Sequence, residues 1–129
     1  MPNRVLVVED NDVMREILLR QLRQLGVNCY GAGNAKEAVE LAEYFDLIFM
    51  DVNLPDTSGI EATKQIRQNE RAKQLPPIPI IAVSASGLRA ESLAAGMDEF
   101  CDKPLHGDQL EQLLRYWLFA QPFRLRLLG

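Results

Sequence analysis

The sequence contains few cysteine and histidine residues, and this shortage excludes several kinds of site. Among 129 residues there are two cysteines, Cys29 and Cys101, and one histidine, His106. Neither cysteine belongs to a Cys-x-x-Cys pair or to a Cys/His cluster with metal-ligand spacing. We therefore predict that both are small core residues rather than redox groups or zinc ligands. The single histidine follows Pro104, and we interpret it as a surface loop residue.

Long apolar runs and an excess of positive charge are also missing. No apolar stretch approaches the roughly 20 residues that cross a bilayer, and "MPNRVLVVED" turns acidic too early for a signal peptide. We therefore expect a cytoplasmic location and no direct membrane insertion. The net charge of −4 and the isoelectric point near 5.0 provide no electrostatic basis for direct binding to nucleic acid.

The composition is that of an ordinary globular domain. Apolar residues make up 47% and charged residues 25% of the chain, which is typical of soluble domains. A chain of this length can bury a core without disulfides or metals. We expect one domain over residues 1–120, followed by a tail or the start of a linker at 121–129, where Pro122 breaks the helical pattern.

Three short runs are apolar without alternation, as expected of strands covered on both faces of a parallel sheet. They are VLVV at 5–8, LIFM at 47–50 and IPIIAV at 78–83, and two weaker strands fit residues 27–30 and 99–102. A first helix follows the first strand, and we expect Asp12 to cap it. Its predicted buried stripe consists of Met14, Ile17, Leu18, Leu22 and Leu25.

Capping boxes predict where three further helices begin. They are Asn34-x-x-Glu37, Ser58-x-x-Glu61 and Asp108-x-x-Glu111, and another helix fits residues 88–95. Five strands alternating with five helices predict an α/β fold, a flavodoxin-like (βα)5 doubly wound parallel sheet with strand order 2-1-3-4-5. This order places Cys29 and Cys101 at opposite edges of the sheet, too far apart for a disulfide.

Carboxylates follow two of the buried strands. Glu9 and Asp10 end the first strand, and Asp51 ends the third. Because these strands are neighbours and ligands bind beyond the carboxyl ends of parallel strands, we expect the three acids to converge. Oxygen ligands with room for water favour Mg²⁺ over a full Ca²⁺ cage. Asp56, in "LPDTSG", is interpreted as a turn residue.

A hydroxyl and an ammonium group end the two remaining strands at this edge. Ser84 ends the fourth strand in "IIAVSAS", and Lys103 ends the fifth in "FCDKPL". Acids, a hydroxyl and a lysine at neighbouring strand ends suit a phosphoryl group. A metal and the ammonium would neutralise its oxygens, the hydroxyl would donate a hydrogen bond, and a carboxylate could be the in-line nucleophile.

Four motifs occur along residues 3–118 in this order: "VLVVEDND", "LIFMDVNLPDTSG", "IIAVSAS" and "GMDEFCDKPL". Together they resemble the motifs of a receiver domain of two-component response regulators. The resemblance implies that Asp51 is the phospho-acceptor, which takes a phosphoryl group from a partner's phosphohistidine. It implies that Ser84 and Lys103 contact that phosphoryl group. The implied Mg²⁺ site consists of Asp10, which would bind the ion directly, Glu9, which would act mainly through water, Asp51, and the backbone carbonyl of Asn53.

The resemblance also implies a switch. Ser84 would shift toward the phosphate and Phe100 would turn inward, which would change the surface that a downstream protein partner reads. The Lys103–Pro104 peptide bond is expected to be cis. Because Asn53 and Ser86 are small and polar, we expect water to reach the acyl phosphate, so the phosphorylated state should not be exceptionally long-lived.

The implied phosphoryl donor is a histidine kinase or a histidine phosphotransfer domain. The chain would catalyse its own phosphorylation and dephosphorylation rather than act as a conventional enzyme. A stand-alone receiver, a phosphorelay intermediate and the receiver of a hybrid histidine kinase all fit, and "MDVNLPDTSGIEATKQIR" favours the last. Two rival functions stay open: a degenerate receiver that only docks proteins, and a haloacid-dehalogenase-type phosphatase. The phosphatase class has a second acid where this chain has Asn53.

Overall fold

The computed structural model describes residues 3–119, which form five strands and five α-helices in alternation. The strands are β1 (Arg4–Val8), β2 (Asn28–Ala32), β3 (Leu47–Asp51), β4 (Ile80–Ser84) and β5 (Glu99–Asp102). The helices are α1 (Asp12–Gln24), α2 (Ala35–Leu41), α3 (Gly59–Lys73), α4 (Arg89–Ala94) and α5 (Gly107–Leu114). A 3₁₀ turn, Ala42–Tyr44, extends α2, and a π-helical turn, Arg115–Phe119, extends α5. Within residues 3–119, no helix is long and apolar enough to cross a membrane.

All five strands are parallel and form one sheet in the order β2-β1-β3-β4-β5. The predicted fold class and strand order are therefore confirmed. The register pairs Val8 with Met50, Asp51 with Val83, and Ser84 with Asp102. The carboxyl ends of β1, β3, β4 and β5 consequently meet at one edge of the sheet.

The core consists of two apolar layers, one on each face of the sheet. Leu6, Ile48 and Ile80 pack on the face covered by α2 and α3. Their sequence neighbours Val5, Leu47 and Ile81 pack on the opposite face, against α1 and α5. Successive strand residues point to opposite faces, and because both faces are covered, the central strands contain no polar alternation.

The first helix differs from the prediction at its cap and on its buried face. Asn11 rather than Asp12 is the N-cap, and its side chain accepts the Met14 N–H at 2.9 Å. The predicted buried stripe is wrong at Met14 and Ile17, which are 40% and 55% exposed. Helical spacing defines a stripe of apolar residues, but only packing against the sheet decides which part of that stripe is covered.

Two of the three predicted capping boxes are confirmed, since Asn34 and Ser58 accept the N–H groups of residues 37 and 61. The third is wrong. Helix α5 begins at Gly107 after the exposed His106, and the Asp108 carboxylate accepts only the neighbouring Gln109 N–H among the described contacts. Asp108 already has a helical position, so its side chain cannot cap that helix.

The two cysteines lie on β2 and β5, at opposite edges of the sheet, and both are free thiols. Cys101 is buried, whereas Cys29 is half-buried. Burial raises the pKa of the Cys101 thiol to about 11. At neutral pH this thiol is therefore protonated and acts as a small apolar side chain.

Gly59, the first residue of α3, allows that helix to begin directly against β3. A Cβ at this position would lie 2.1 Å from the backbone oxygen of Asp51. We expect Gly59→Ala to lower the free energy of unfolding by about 3 kcal/mol, because backbone must move to accommodate the methyl group. Urea denaturation measures this loss. Gly107→Ala is the matched control, since no atom lies within 4 Å of its added Cβ, and equal losses in the two variants would contradict the prediction.

Candidate functional site

Three carboxylates from two strand ends form the centre of the site. Glu9 and Asp10 follow β1, Asp51 ends β3, and one oxygen from each lies within 4.8 Å of the others. The convergence expected from the strand order is therefore present. Glu9 and Asp51 are only 6% and 5% exposed, whereas Asp10 is exposed to solvent. The cluster thus has two shielded acids and one acid that is open to water.

Lys103 links the two shielded acids. Its Nζ donates hydrogen bonds to Glu9 Oε1 at 2.6 Å and to Asp51 Oδ2 at 3.0 Å. The ammonium offsets the repulsion between the carboxylates, which in a shielded site would otherwise destabilise the fold. Lys103 follows β5 directly, and the cis Lys103–Pro104 bond that the sequence predicted is confirmed. The sequence predicted Lys103 as the positive partner of the converging acids, and the structure shows that it binds Glu9 and Asp51 in particular.

The acidities of the two shielded carboxyl groups differ. Burial opposes ionisation of Glu9, but hydrogen bonds from Lys103 and from the Asn11 N–H outweigh it and lower the pKa of Glu9. For Asp51, burial outweighs the Lys103 hydrogen bond, and the nearby charge of Glu9 adds to it, so the pKa of Asp51 is raised. Burial alone would lower the pKa of Lys103, but its two hydrogen bonds raise it. The lysine is therefore charged at neutral pH, and Glu9 is its more strongly ionised partner.

Ser84 ends β4 and is fully buried. Its hydroxyl accepts the Ser86 N–H at 3.1 Å, and the two hydroxyl oxygens are 3.0 Å apart. Asn53 donates from its side-chain amide to the Ser86 hydroxyl at 3.0 Å, and its own N–H donates to Asp51 Oδ1 at 3.1 Å. A chain of hydrogen bonds therefore connects the loop after β3 to the loop after β4.

Phe100, the predicted switch aromatic, lies on β5. Its side chain is 9% exposed and packs in the apolar layer on the α2 and α3 face of the sheet. The ring is thus already inside the protein in this conformation.

Asp56 has a role that the sequence did not indicate. Its carboxylate accepts the N–H groups of Ala35 and Lys36 at 2.9 and 3.0 Å. The hydrogen bond from Ala35, followed by the one from Lys36, lowers the pKa of this exposed carboxyl group. Asp56 thus belongs to the predicted turn and also binds the first turn of α2. No short motif could reveal this contact, because its two halves are about 20 residues apart.

Residues 5–115 match the family model described as the response regulator receiver domain. The chain belongs to this family. Its most similar curated relatives include hybrid signal transduction histidine kinase G of Dictyostelium discoideum, with 38% identity over 116 residues. Two-component system protein A of Emericella nidulans is 36% identical over 121 residues. The matches cover 86% and 88% of this chain but only 3% and 17% of those two proteins.

Solved receiver structures have the same fold. The receiver domain of Ssk1 from Saccharomyces cerevisiae, crystallised with the histidine phosphotransfer protein Ypd1, is 33% identical, with a TM-score of 0.87 over 93% of this chain and 91% of that one. The receiver domain of sensor histidine kinase PA1611 from Pseudomonas aeruginosa is 34% identical, with a TM-score of 0.80 over 91% of this chain and 98% of that one. A magnesium ion is coordinated in the active-site cleft of the PA1611 receiver.

The raised pKa of Asp51 predicts a pH-dependent effect of Asp51→Asn on stability. A carboxyl group whose pKa is higher in the folded protein favours folding while protonated, and that contribution is lost as pH rises above its ordinary value. In metal-free buffer, the variant should therefore have a higher urea midpoint than wild type at pH 7. The difference should shrink as pH falls below about 4, the ordinary range of aspartate. A destabilised variant at pH 7 would contradict this assignment.

Proposed function

We propose that this receiver domain accepts a phosphoryl group from a partner's phosphohistidine onto Asp51, in a Mg²⁺-dependent reaction, and then signals or relays the phosphate. The observation that carries the proposal is the shielded Asp51 carboxylate, held by Lys103 inside a cluster of three acids. A buried aspartate fixed by a lysine is oriented for attack, and its surroundings already contain the positive charge that a phosphoryl group needs.

The donor set fits magnesium. Carboxylate oxygens without sulfur or imidazole ligands suit a hard cation, and the exposure of Asp10 leaves room for bound water. In the proposal Glu9, Asp10, Asp51 and the backbone carbonyl of Asn53 hold the ion. Bound Mg²⁺ would neutralise charge on the phosphoryl oxygens during transfer.

The chain's own residues supply the remaining chemistry. A carboxylate oxygen of Asp51 attacks phosphorus, the phosphorus–nitrogen bond of the donor breaks, and the imidazole leaves with the bonding electron pair. Lys103 then shares its hydrogen bonds with the phosphoryl oxygens, which carry the transferred negative charge. The Ser84 hydroxyl, now bound to Ser86, can donate to one of these oxygens after rotation of its side chain.

That rotation supplies a switch. Phosphorylation replaces the single negative charge of the Asp51 carboxylate with a phosphoryl group of charge about −2. Pulling the Ser84 hydroxyl toward this group would break the Ser84–Ser86 contact at the start of the loop that leads into α4. Leu88 in that loop has a left-handed φ of 68°, which is strained for a leucine. We therefore propose that Ser84 and the loop before α4 move, and that Phe100 adjusts with them, to change the surface offered to a downstream protein.

An apolar surface beside the site is suited to the phosphoryl donor. Val13, Met14 and Ile17 on α1 are 68%, 40% and 55% exposed, although they are apolar. A cavity of about 130 Å³ next to them reaches the acidic cluster, and its lining includes Glu9, Met14, Ile17, Leu18, Lys103, Pro104 and Leu105. We propose that a histidine phosphotransfer domain or histidine kinase docks here, because the donor histidine has to reach Asp51.

Three predictions extend beyond the described residues. The cytoplasmic location and the parentage from a hybrid histidine kinase are part of the proposal, and the resemblance to hybrid kinases supports the second. The division into a receiver domain at 1–120 and a tail at 121–129 also stays a prediction, because the tail lies outside residues 3–119.

Intact-mass spectrometry after incubation with acetyl phosphate tests the chemistry. The wild-type chain should gain one phosphoryl mass with Mg²⁺ and none with EDTA, and Asp51→Asn should gain none. Asp102→Asn is the control, because Asp102 also ends a strand but is exposed and lies outside the acid cluster. Absence of any gain in the folded wild-type chain would favour the docking-only function.

The surface on α1 is tested by comparing two phosphoryl donors. Ile17→Glu should slow transfer about tenfold from a histidine phosphotransfer domain that labels the wild-type chain, since a charge would replace an apolar contact. The rate with acetyl phosphate should not change, because this small donor needs no docking surface. Tyr44→Glu, at a 58% exposed residue near the opposite end of the sheet, is the control. Equal slowing with both donors would contradict a docking role.

A further inference from the structure

Arg15 on α1 has no part in the chemistry proposed above, yet its position is well defined. Its Nη1 donates to the backbone oxygen of Glu9 at 2.7 Å, and its Nη2 contacts Asp12 Oδ1 at 2.7 Å. The side chain is only 24% exposed, whereas Asp12 is 88% exposed. A pair with so exposed a carboxylate contributes little, so the hydrogen bond to Glu9 is the contact that matters.

Strand β2 leaves space for this arginine. A Cβ on Gly31 would lie 2.8 Å from Arg15 Cδ and 3.2 Å from both Arg15 Nε and Leu19 Cδ1, so the arginine stem is its nearest contact. Gly31 has an ordinary negative-φ backbone, so no turn requires a glycine there. The missing side chain therefore serves to let the arginine stem lie against the strand.

With the Arg15 contact included, the backbone N–H, the carboxylate and the backbone oxygen of Glu9 all have hydrogen-bond partners. Its N–H donates to the Ala32 oxygen at 3.0 Å, and its carboxylate accepts from Lys103 and from the Asn11 N–H. The hydrogen bond from Arg15 secures the remaining polar group, the backbone oxygen. This oxygen belongs to the peptide that joins Glu9 to Asp10, so its orientation constrains the direction in which the Asp10 side chain leaves the backbone.

We propose that Arg15 is a positioning residue for the metal site: it fixes the Glu9–Asp10 peptide so that both carboxylates face the cation. The inference rests on the proposed Mg²⁺ function. For the Mg²⁺ affinity after loss of Arg15, a positioning role and the charge of the arginine alone predict opposite changes. A guanidinium near an acidic cluster repels a cation, so its electrostatic effect predicts tighter Mg²⁺ binding when it is removed. A positioning effect predicts weaker binding.

The first experiment measures the Mg²⁺ dissociation constant by calorimetry, with circular dichroism to verify folding. Arg15→Met keeps an apolar stem but removes the donor, and we expect about tenfold weaker binding. Arg15→Lys retains one donor and should recover much of the loss. Arg20→Met removes the same charge from an exposed position on α1 and should leave affinity unchanged or slightly higher. Unchanged or tighter binding in Arg15→Met would overturn the proposal.

A second experiment tests the fit between Arg15 and Gly31. Gly31→Ala should also weaken Mg²⁺ binding, because the methyl group displaces the arginine stem. Gly33→Ala is the control, since its Cβ would lie 3.7 Å from Arg15 Nη1, an ordinary contact. In an Arg15→Ala background, Gly31→Ala should have little further effect on affinity. Additive losses in the double variant would overturn the proposed link between the two residues.

The outcomes separate the two proposals. If the wild-type chain binds no Mg²⁺, the proposed function itself fails, and the inference fails with it. If the wild-type chain binds Mg²⁺ and Arg15→Met binds equally well but unfolds at lower urea concentration, the arginine is merely structural, and only the inference fails.

Discussion

The structure depends on one electrostatic constraint: two shielded carboxylates and a third exposed one meet at the end of a parallel sheet. The carboxyl ends of neighbouring parallel strands are adjacent, so acids at the ends of β1 and β3 lie close together. Lys103 offsets the repulsion between these acids by bridging Glu9 and Asp51. Lys103 follows β5, so along the chain it lies 94 residues from Glu9 and 52 residues from Asp51. The fold therefore places the Lys103 ammonium beside acids that are far from it in the sequence.

The bridge is unequal, and the inequality bears on function. Nζ of Lys103 is 2.6 Å from Glu9 and 3.0 Å from Asp51, and the pKa is lowered in Glu9 but raised in Asp51. The acid proposed as nucleophile is therefore the one whose negative charge is less well compensated. Such a carboxylate gains more when a cation or a phosphoryl group with its metal arrives, since neutralisation is worth more in a shielded position.

Loops after different strands are joined to one another around this centre. Asn53 and Ser86 connect the loops after β3 and β4, and Asp56 connects the loop after β3 to the start of α2. Each connection consists of one or two hydrogen bonds between segments at the same end of the sheet. The proposed switch would act through these contacts.

The sequence by itself determined which segments form strands and which residues end them, because unbroken apolar runs, capping motifs and carboxylates after strands are local patterns. The strand order followed from the general rules for alternating strands and helices. The sequence was wrong about the cap of α1, which Asn11 provides, and about the burial of Met14 and Ile17. It also contained no sign that Asp56 holds α2 or that Arg15 lies against Gly31. Only the tertiary structure decided these contacts. They depend on how separate elements pack, and residues far apart along the chain become neighbours only after the sheet has formed.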